Sequence, residues 1–197
     1  YRFYPAVSAA WIISNESFIK DASGLDLLKL RASYGITGYD ARLGYGLDTP
    51  NNGGGSGFVA MVGSSESGMM QGSYPSYGAL PETDFKANVG IDLRAFRGLE
   101  VSLDVFRNHR KHLKVSSSGV YSSLLGLGSP YIFNGETLNW GGELSASWSQ
   151  TVGDFSWHIG GCISYTKDKI LEMGEEYHPY SYMYRTGHSI TALTLYT

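Results

Sequence analysis

One cysteine, Cys162, is the whole thiol inventory of a chain of 197 residues, so no internal disulfide is possible. A disulfide-stapled secreted scaffold is thereby excluded. Proline is scarce at 6 residues, and charged side chains make up 17% of the chain, below the usual quarter or so. The charges nearly cancel, 15 basic against 18 acidic, and no basic stripe marks a nucleic-acid surface. No run approaches the roughly 18 consecutive apolar residues of a membrane helix. The opening Tyr1-Arg2-Phe3-Tyr4-Pro5 has neither the charged start nor the apolar core of a secretory signal. There is no initiator Met, and the chain begins as if inside a strand, so it reads as a segment of a longer protein. What it has in quantity is glycine, 26 residues or about twice the average share, and tyrosine, 15 residues. The glycines do not recur at every third position as in collagen, and 42% hydrophobic residues argue against general disorder.

The recurring period is two. Phe85, Ala87, Val89, Ile91, Leu93 and Ala95 alternate with Lys86, Asn88, Gly90, Asp92 and Arg94. One face of such a strand is apolar and the other polar or small. Leu99, Val101, Leu103 and Val105 continue the pattern after Arg97-Gly98, which reads as a two-residue hairpin turn. A second hairpin runs from Trp140, Gly142, Leu144, Ala146 and Trp148 through Gly153-Asp154 to Phe155, Trp157, Ile159, Gly161, Ile163 and Tyr165. Toward the N-terminus, Phe3 to Ile13 and Leu28 to Tyr34 supply two more strands, with a short helical turn expected over Asn15–Lys20. The count is six strands, with a seventh expected near residues 189–197.

Connection lengths then divide by position. The links at 15–24, 97–98 and 153–154 are short or moderate, whereas those at 38–82, 116–137 and 174–188 are long and rich in Gly, Ser, Tyr and Asn. Because strand direction alternates, all the long links fall at one end. Long alternating strands, short turns on one side and long loops on the other are the signature of a transmembrane β-barrel. Trp11, Trp140, Trp148, Phe155, Trp157 and Tyr165 lie mostly at strand ends on the apolar face, where interfacial aromatic girdles sit. A soluble antiparallel sandwich, such as a carbohydrate-binding module, shares the period of two. It has no need of strands of this length, nor of long loops confined to one edge. The fold class expected is therefore all-β, an antiparallel up-and-down meander of six to seven strands, with residues 1–197 forming one segment of a barrel.

Several stretches resemble the SusC/RagA family, the TonB-linked outer-membrane proteins of Bacteroidetes. Tyr4 to Trp11 is similar to that family's strand FPSVSAAW. Leu28 to Gly38 matches its LKLRASYGxTGN, with Tyr39 where the family has Asn. Asn88 to Leu93 resembles its NxGLDL, and Val105-Phe106-Arg107-Asn108 stands where the family has an aromatic DYY segment. Asn134-Gly135-Glu136, Asn139 to Leu144, Ile163 to Ile170 and Arg185 to Ile190 follow in the family's order, Ser189 replacing a common Pro. The resemblance implies a stretch of the later barrel strands of a transporter seated in outer-membrane lipid. Such proteins import oligosaccharides or peptides with a SusD-like lipoprotein as lid. Their energy comes from the TonB complex, through N-terminal regions that this sequence does not contain.

Candidate chemistry is sparse, and neither an enzyme, a cofactor nor a metal site is expected. His109 and His112, three apart on a strand, face opposite ways and read as a charged strand extension. Gly53 to Gly57 lacks the context of a nucleophile elbow or a P-loop and reads as a flexible loop. Glu82 and Asp84 share a face at a strand start and read as a solvated pair. Lys29, Arg31, Asp92, Arg94, Glu100, Asp104 and Glu143 compose a polar inner wall of mixed sign, paired across strands. Cys162 lies beside Gly160 and Gly161 on the small, polar face with nothing electropositive to activate it. The candidate contacts for substrate or lid are the loop aromatics Tyr39, Tyr45, Tyr74, Tyr77, Tyr121, Tyr131 and Phe133, with Tyr177, Tyr180, Tyr182 and Tyr184 in the same class. Such rings with polar tips suit sugar faces and protein surfaces.

The alternation carries a direct test. Arg at Val89 or Ile91 is expected to cost about 2–4 kcal/mol of folding free energy in lipid, the charge meeting the bilayer midplane, whereas Arg at Asn88 costs little. Refolding of the three variants into vesicles measures this, and equal tolerance at all three positions contradicts the barrel.

Overall fold

The computed structural model describes residues 2–19, 24–40, 51–61, 64–117, 121, 124 and 128–192, with the backbone alone described for 51–61 and 64–73. Among them are eight strands: β1 (Ala6–Ile12), β2 (Leu25–Tyr39), β3 (Asn51–Met61), β4 (Ser64–Ser73), β5 (Glu82–Ala95), β6 (Leu99–Ser116), β7 (Tyr131–Val152) and β8 (Phe155–Glu172). Six of them form one sheet in the order β1-β2-β5-β6-β7-β8, and β3 and β4 pair as a separate hairpin. The order follows the chain except for that inserted hairpin, so the expected meander is what forms.

The chain divides into two compact units, residues 1–37, 84–109 and 138–168 in the first and 38–83, 110–137 and 169–197 in the second. Both tight turns, at 96–98 and 153–154, belong to the first unit. The long connections between β2 and β5 and between β6 and β7 belong to the second. This is the segregation that alternating strand directions require.

In the first unit β1 runs antiparallel to β2, from Ala6 opposite Gly35 to Ile12 opposite Lys29. The apolar positions of the alternation are exposed: Val7, Trp11, Val89, Ile91, Val105, Leu144, Ile159 and Ile163 all present their side chains to the surroundings. Among the described residues only Ala95 and Ile170 are buried apolar side chains. A soluble sandwich folds by burying such a face. Here that face is left for an apolar solvent, as in a membrane barrel.

The β5–β6 turn differs from expectation by one position. Phe96 and Arg97, rather than Arg97 and Gly98, adopt left-handed backbone, both at φ 55°. Two contacts decide this. The Phe96 amide donates to Gly24 O at 2.7 Å, and a Cβ on Gly24 would lie 3.2 Å from the Phe96 ring, so Phe96 is held in place. Gly98 is needed for closeness instead: its carbonyl accepts from the Ser149 amide at 2.9 Å, and a Cβ there would stand 1.9 Å from Ser149 O.

In the second unit the β3–β4 hairpin pairs Asn51 with Ser73 and Met61 with Ser64, with irregular register between. Gly53 to Gly57, expected as a flexible loop, therefore lie in strand β3. Three further expectations shift. The helical turn near 15–20 is a single 3-10 turn at Ile13–Asn15. The long link at 116–137 shortens to 117–130, because β7 starts at Tyr131 and runs for 22 residues. Residues 189–192 form no strand, and 193–197 lie outside the described residues. Within β6, His112 is left-handed at φ 59°, the backbone signature of a bulge that interrupts strict alternation. The end of β8 gains a partner late in the chain: the Ile170 amide donates to His188 O at 2.9 Å and the Gly187 amide to Ile170 O at 2.8 Å.

The turn yields a paired expectation for the full-length protein in detergent. Gly98→Ala drives a methyl into backbone and lowers the thermal unfolding midpoint. Arg97→Gly relieves a left-handed conformation that costs an L-residue roughly 1–2 kcal/mol, less the backbone entropy glycine loses, and leaves the midpoint unchanged or higher. Heat-modified gel mobility across a temperature series reads both.

Candidate functional site

The inner face of the first unit is organised around Arg31 on β2. Its Nε and Nη2 donate to the two carboxylate oxygens of Asp92 on β5, at 3.0 and 3.1 Å. Nη2 also lies 2.7 Å from Asp104 Oδ2 on β6 and 3.2 Å from the Ser102 hydroxyl. Ser102 in turn donates to Asp92 Oδ1 at 2.9 Å. One guanidinium thus ties three successive strands through the planar fork that suits it to carboxylates. Gly90 makes room: a Cβ there would stand 2.7 Å from Asp104 Oδ1 and 2.8 Å from Arg31 Cζ. Nearby, Arg94 pairs with Glu100 at 3.0 Å. These two residues and Lys29, Asp92, Ser102 and Ser145 line a shallow depression of about 520 Å³. Of the seven charges expected on this mixed-sign wall, five pair across strands: Arg31 with Asp92 and Asp104, and Arg94 with Glu100. Glu143 is exposed.

The acidic pair at the start of β5 departs from expectation. Glu82 and Asp84 are buried, not solvated. Burial of a carboxylate calls for a cation or hydrogen-bond donors, and Asp84 Oδ2 has Lys86 Nζ at 3.7 Å. The two histidines singled out from the sequence stand in different surroundings. His109 lies with its ring 6.3 Å from that of Phe85, and His112 takes the left-handed position in β6 with Nδ1 buried. Cys162 is exposed on β8.

The second unit carries all the loop aromatics proposed from sequence. Tyr77 is 75% exposed, Tyr39, Tyr121 and Tyr131 are exposed to lesser degrees, and Tyr74 and Phe133 are half-buried. Tyr45 lies outside the described residues. Two of the connections are laced together: the Tyr74 amide donates to Gly128 O at 3.1 Å, and the Tyr131 amide donates to the Ser76 hydroxyl at 2.7 Å. The Ser117 hydroxyl donates to Pro130 O. Lys114 Nζ sits 3.9 Å from the centre of the Tyr131 ring, so that ring is already engaged by a cation.

The segment after β8 closes on itself, and its organiser is not visible in the sequence. Glu175 Oε1 accepts from the Arg185 amide at 2.7 Å, and Oε2 accepts from the Thr186 amide at 2.9 Å and the Thr186 hydroxyl at 2.6 Å. Within the loop so closed, the Tyr184 hydroxyl accepts from the His178 amide and donates to the His178 carbonyl, with the two rings edge to face at 5.2 Å. Tyr180 and Tyr182 stack at 5.5 Å with 13° between their planes, both exposed, and Tyr177 is also exposed. A glutamate ten residues before its first partner has no local sequence signature. Only the later fold brings them together.

The family model described as TonB dependent receptor-like, beta-barrel matches residues 1–190. The chain belongs to this family. Two TonB-dependent receptors of Formosa agariphila, P26 and P3, are each 28% identical to it, over 178 and 181 residues. Each alignment covers 88% of this chain and 17% of the relative. The fold is similar to that of the RagAB peptide importer in its "closed-closed" state, with a TM-score of 0.71 and 18% identity, covering 94% of this chain and 20% of that one. For the "open-open" state the TM-score is 0.69 at 18% identity, covering 86% and 18%. The chain thus spans about a sixth of the length of the two receptors it matches, and that portion is outer-membrane barrel wall with its loops.

Glu175 gives the unit a pH dependence. Burial pushes its carboxyl up, but the hydrogen bonds from the Thr186 hydroxyl and from the Thr186 and Arg185 amides, with His178 nearby, outweigh this and hold it below its ordinary value. A lowered carboxyl stabilises the loop at any pH above its unfolded-state value, and the contribution is lost as pH falls through the folded-state value. Amide exchange at Arg185 and Thr186, corrected for intrinsic rates, is expected to be slow at neutral pH and to accelerate below the ordinary carboxylate range of about 4. In Glu175→Gln it is fast at neutral pH and no longer depends on pH through this group.

Proposed function

We propose that residues 1–197 form one continuous segment of the barrel wall of a TonB-dependent outer-membrane transporter that imports oligosaccharides or peptides. In this reading a SusD-like lipoprotein covers the long loops and the TonB complex supplies energy. The segment contributes no catalytic step. Its inner wall is a surface for passage or for contact within the barrel, and its loop unit meets substrate and lid.

The observation that carries the proposal is the division of chemistry between the two units. Self-neutralised charges line the first, whereas exposed tyrosines gather in the second, on the connections that a barrel of this family turns outward. Tyrosine gives contact area at low entropic cost, which suits capture of sugars or peptides. Membership of the receptor family and the fold shared with a peptide importer support the transport reading. The soluble carbohydrate-binding module is disfavoured by the large apolar face left exposed.

Deleting residues 51–73, the β3–β4 hairpin, from the full-length protein tests it. The hairpin stands outside the six-stranded sheet, so barrel assembly and surface exposure are expected to persist. Co-purification of the lipoprotein and growth on the cognate oligosaccharide or peptide are expected to fall. Undiminished docking and growth would make the hairpin a spacer, and failure of assembly would make it part of the wall.

A further inference from the structure

On the exposed apolar face of the first unit, the alternation changes character at the strand ends remote from the tight turns. The outward positions there turn basic. Arg107 follows Leu103 and Val105 on β6, and Lys167 follows Ile163 and Tyr165 on β8. Between these strands lies β7 with Trp140 on the same face. A shallow apolar depression of about 660 Å³ opens beside them, lined by Val89, Val105, Leu138, Trp140 and Tyr165, with Arg107 on its rim. Gly142 forms its floor, where a Cβ would meet nothing closer than 3.4 Å. Lys167 Nζ lies 5.7 Å from the centre of the Tyr165 ring, which places a second cation at the same edge. The neighbouring outward positions Ala87, Val89, Val105, Leu138 and Tyr165 carry no acid, and Glu136, next after Leu138 on β7, has Lys111 at 3.4 Å as its partner.

We propose that this is a lipid site, holding one acyl chain in the notch and a phosphate between Arg107 and Lys167. The two residues stand on strands flanking β7, two strand spacings or roughly 10 Å apart in backbone, and long flexible side chains from that separation converge on one phosphate. Short barrel turns face the periplasm, so strand ends away from them reach the outer leaflet. The occupant is therefore a phosphorylated outer-leaflet lipid of the lipid A class. An aliphatic notch alone accepts any acyl chain, and the paired cations at the interface select the phosphorylated headgroup.

Native mass spectrometry of the full-length protein, released from nanodiscs of phosphatidylethanolamine doped with lipid A, tests this. The wild type is expected to retain a lipid A adduct, reduced at least about fivefold in Arg107→Gln/Lys167→Gln, which removes both interfacial cations. Lys111→Gln, whose partner is Glu136 at 3.4 Å, is expected to leave the adduct unchanged. If the double variant does not assemble, Gly142→Leu fills the notch, keeps both charges and is expected to lower retention by the same factor. Equal retention of dephosphorylated lipid A, or of phosphatidylglycerol at the same mole fraction, overturns the selection of this lipid. Unchanged retention in the variants that assemble overturns the site.

Discussion

The six-stranded sheet answers to one constraint: inside a bilayer a backbone N–H or C=O has no water to turn to, so each must be paired with another strand. An in-order meander is the simplest chain path that meets this. It fixes the side-chain alternation, because a strand paired on both edges has only its two faces left to vary. The apolar residues go outward because the solvent there is hydrocarbon, which is why so few apolar side chains are buried among the described residues. The fold is held by ladder hydrogen bonds and by contact with lipid, with the hydrophobic effect acting on an external surface.

The inner face obeys the opposite rule. Polar groups there are partly shielded, and a carboxylate taken out of bulk water needs donors. Arg31 supplies them to Asp92 and Asp104 together, and the absence of a side chain at Gly90 leaves the guanidinium its place. The same logic recurs in different chemistry at Glu175, where backbone amides and a threonine hydroxyl take the role of the cation. The carboxylates of Asp92 and Asp104 serve to join strands, that of Glu175 to close a loop.

The six strands of the main sheet are legible in the sequence because period two over ten or more residues has no competing explanation, and the polar wall follows from the same parity. The hairpin β3–β4 is not, since glycines and serines at 51–73 carry no apolar alternation and its strands pair only with each other. The turn at Phe96 and Arg97 reads one residue late because Gly98 looks like a turn glycine, whereas it is a glycine of close approach to Ser149. Glu82 and Asp84 look solvated because burial of a strand start depends on what folds over it. Sequence alone assigns the loop aromatics to one unit but does not separate the engaged from the spare. Tyr131 is taken up by Lys114, while Tyr180 and Tyr182 stack in the open.

The length of β7 has a mechanical corollary. A tilted strand crosses the hydrocarbon in about 9–11 residues, yet β7 runs for 22. Half of it is therefore ladder standing in water, stiffened by strand pairing. What stands beyond the hydrocarbon is thus held by ladder hydrogen bonds and not by contact with lipid.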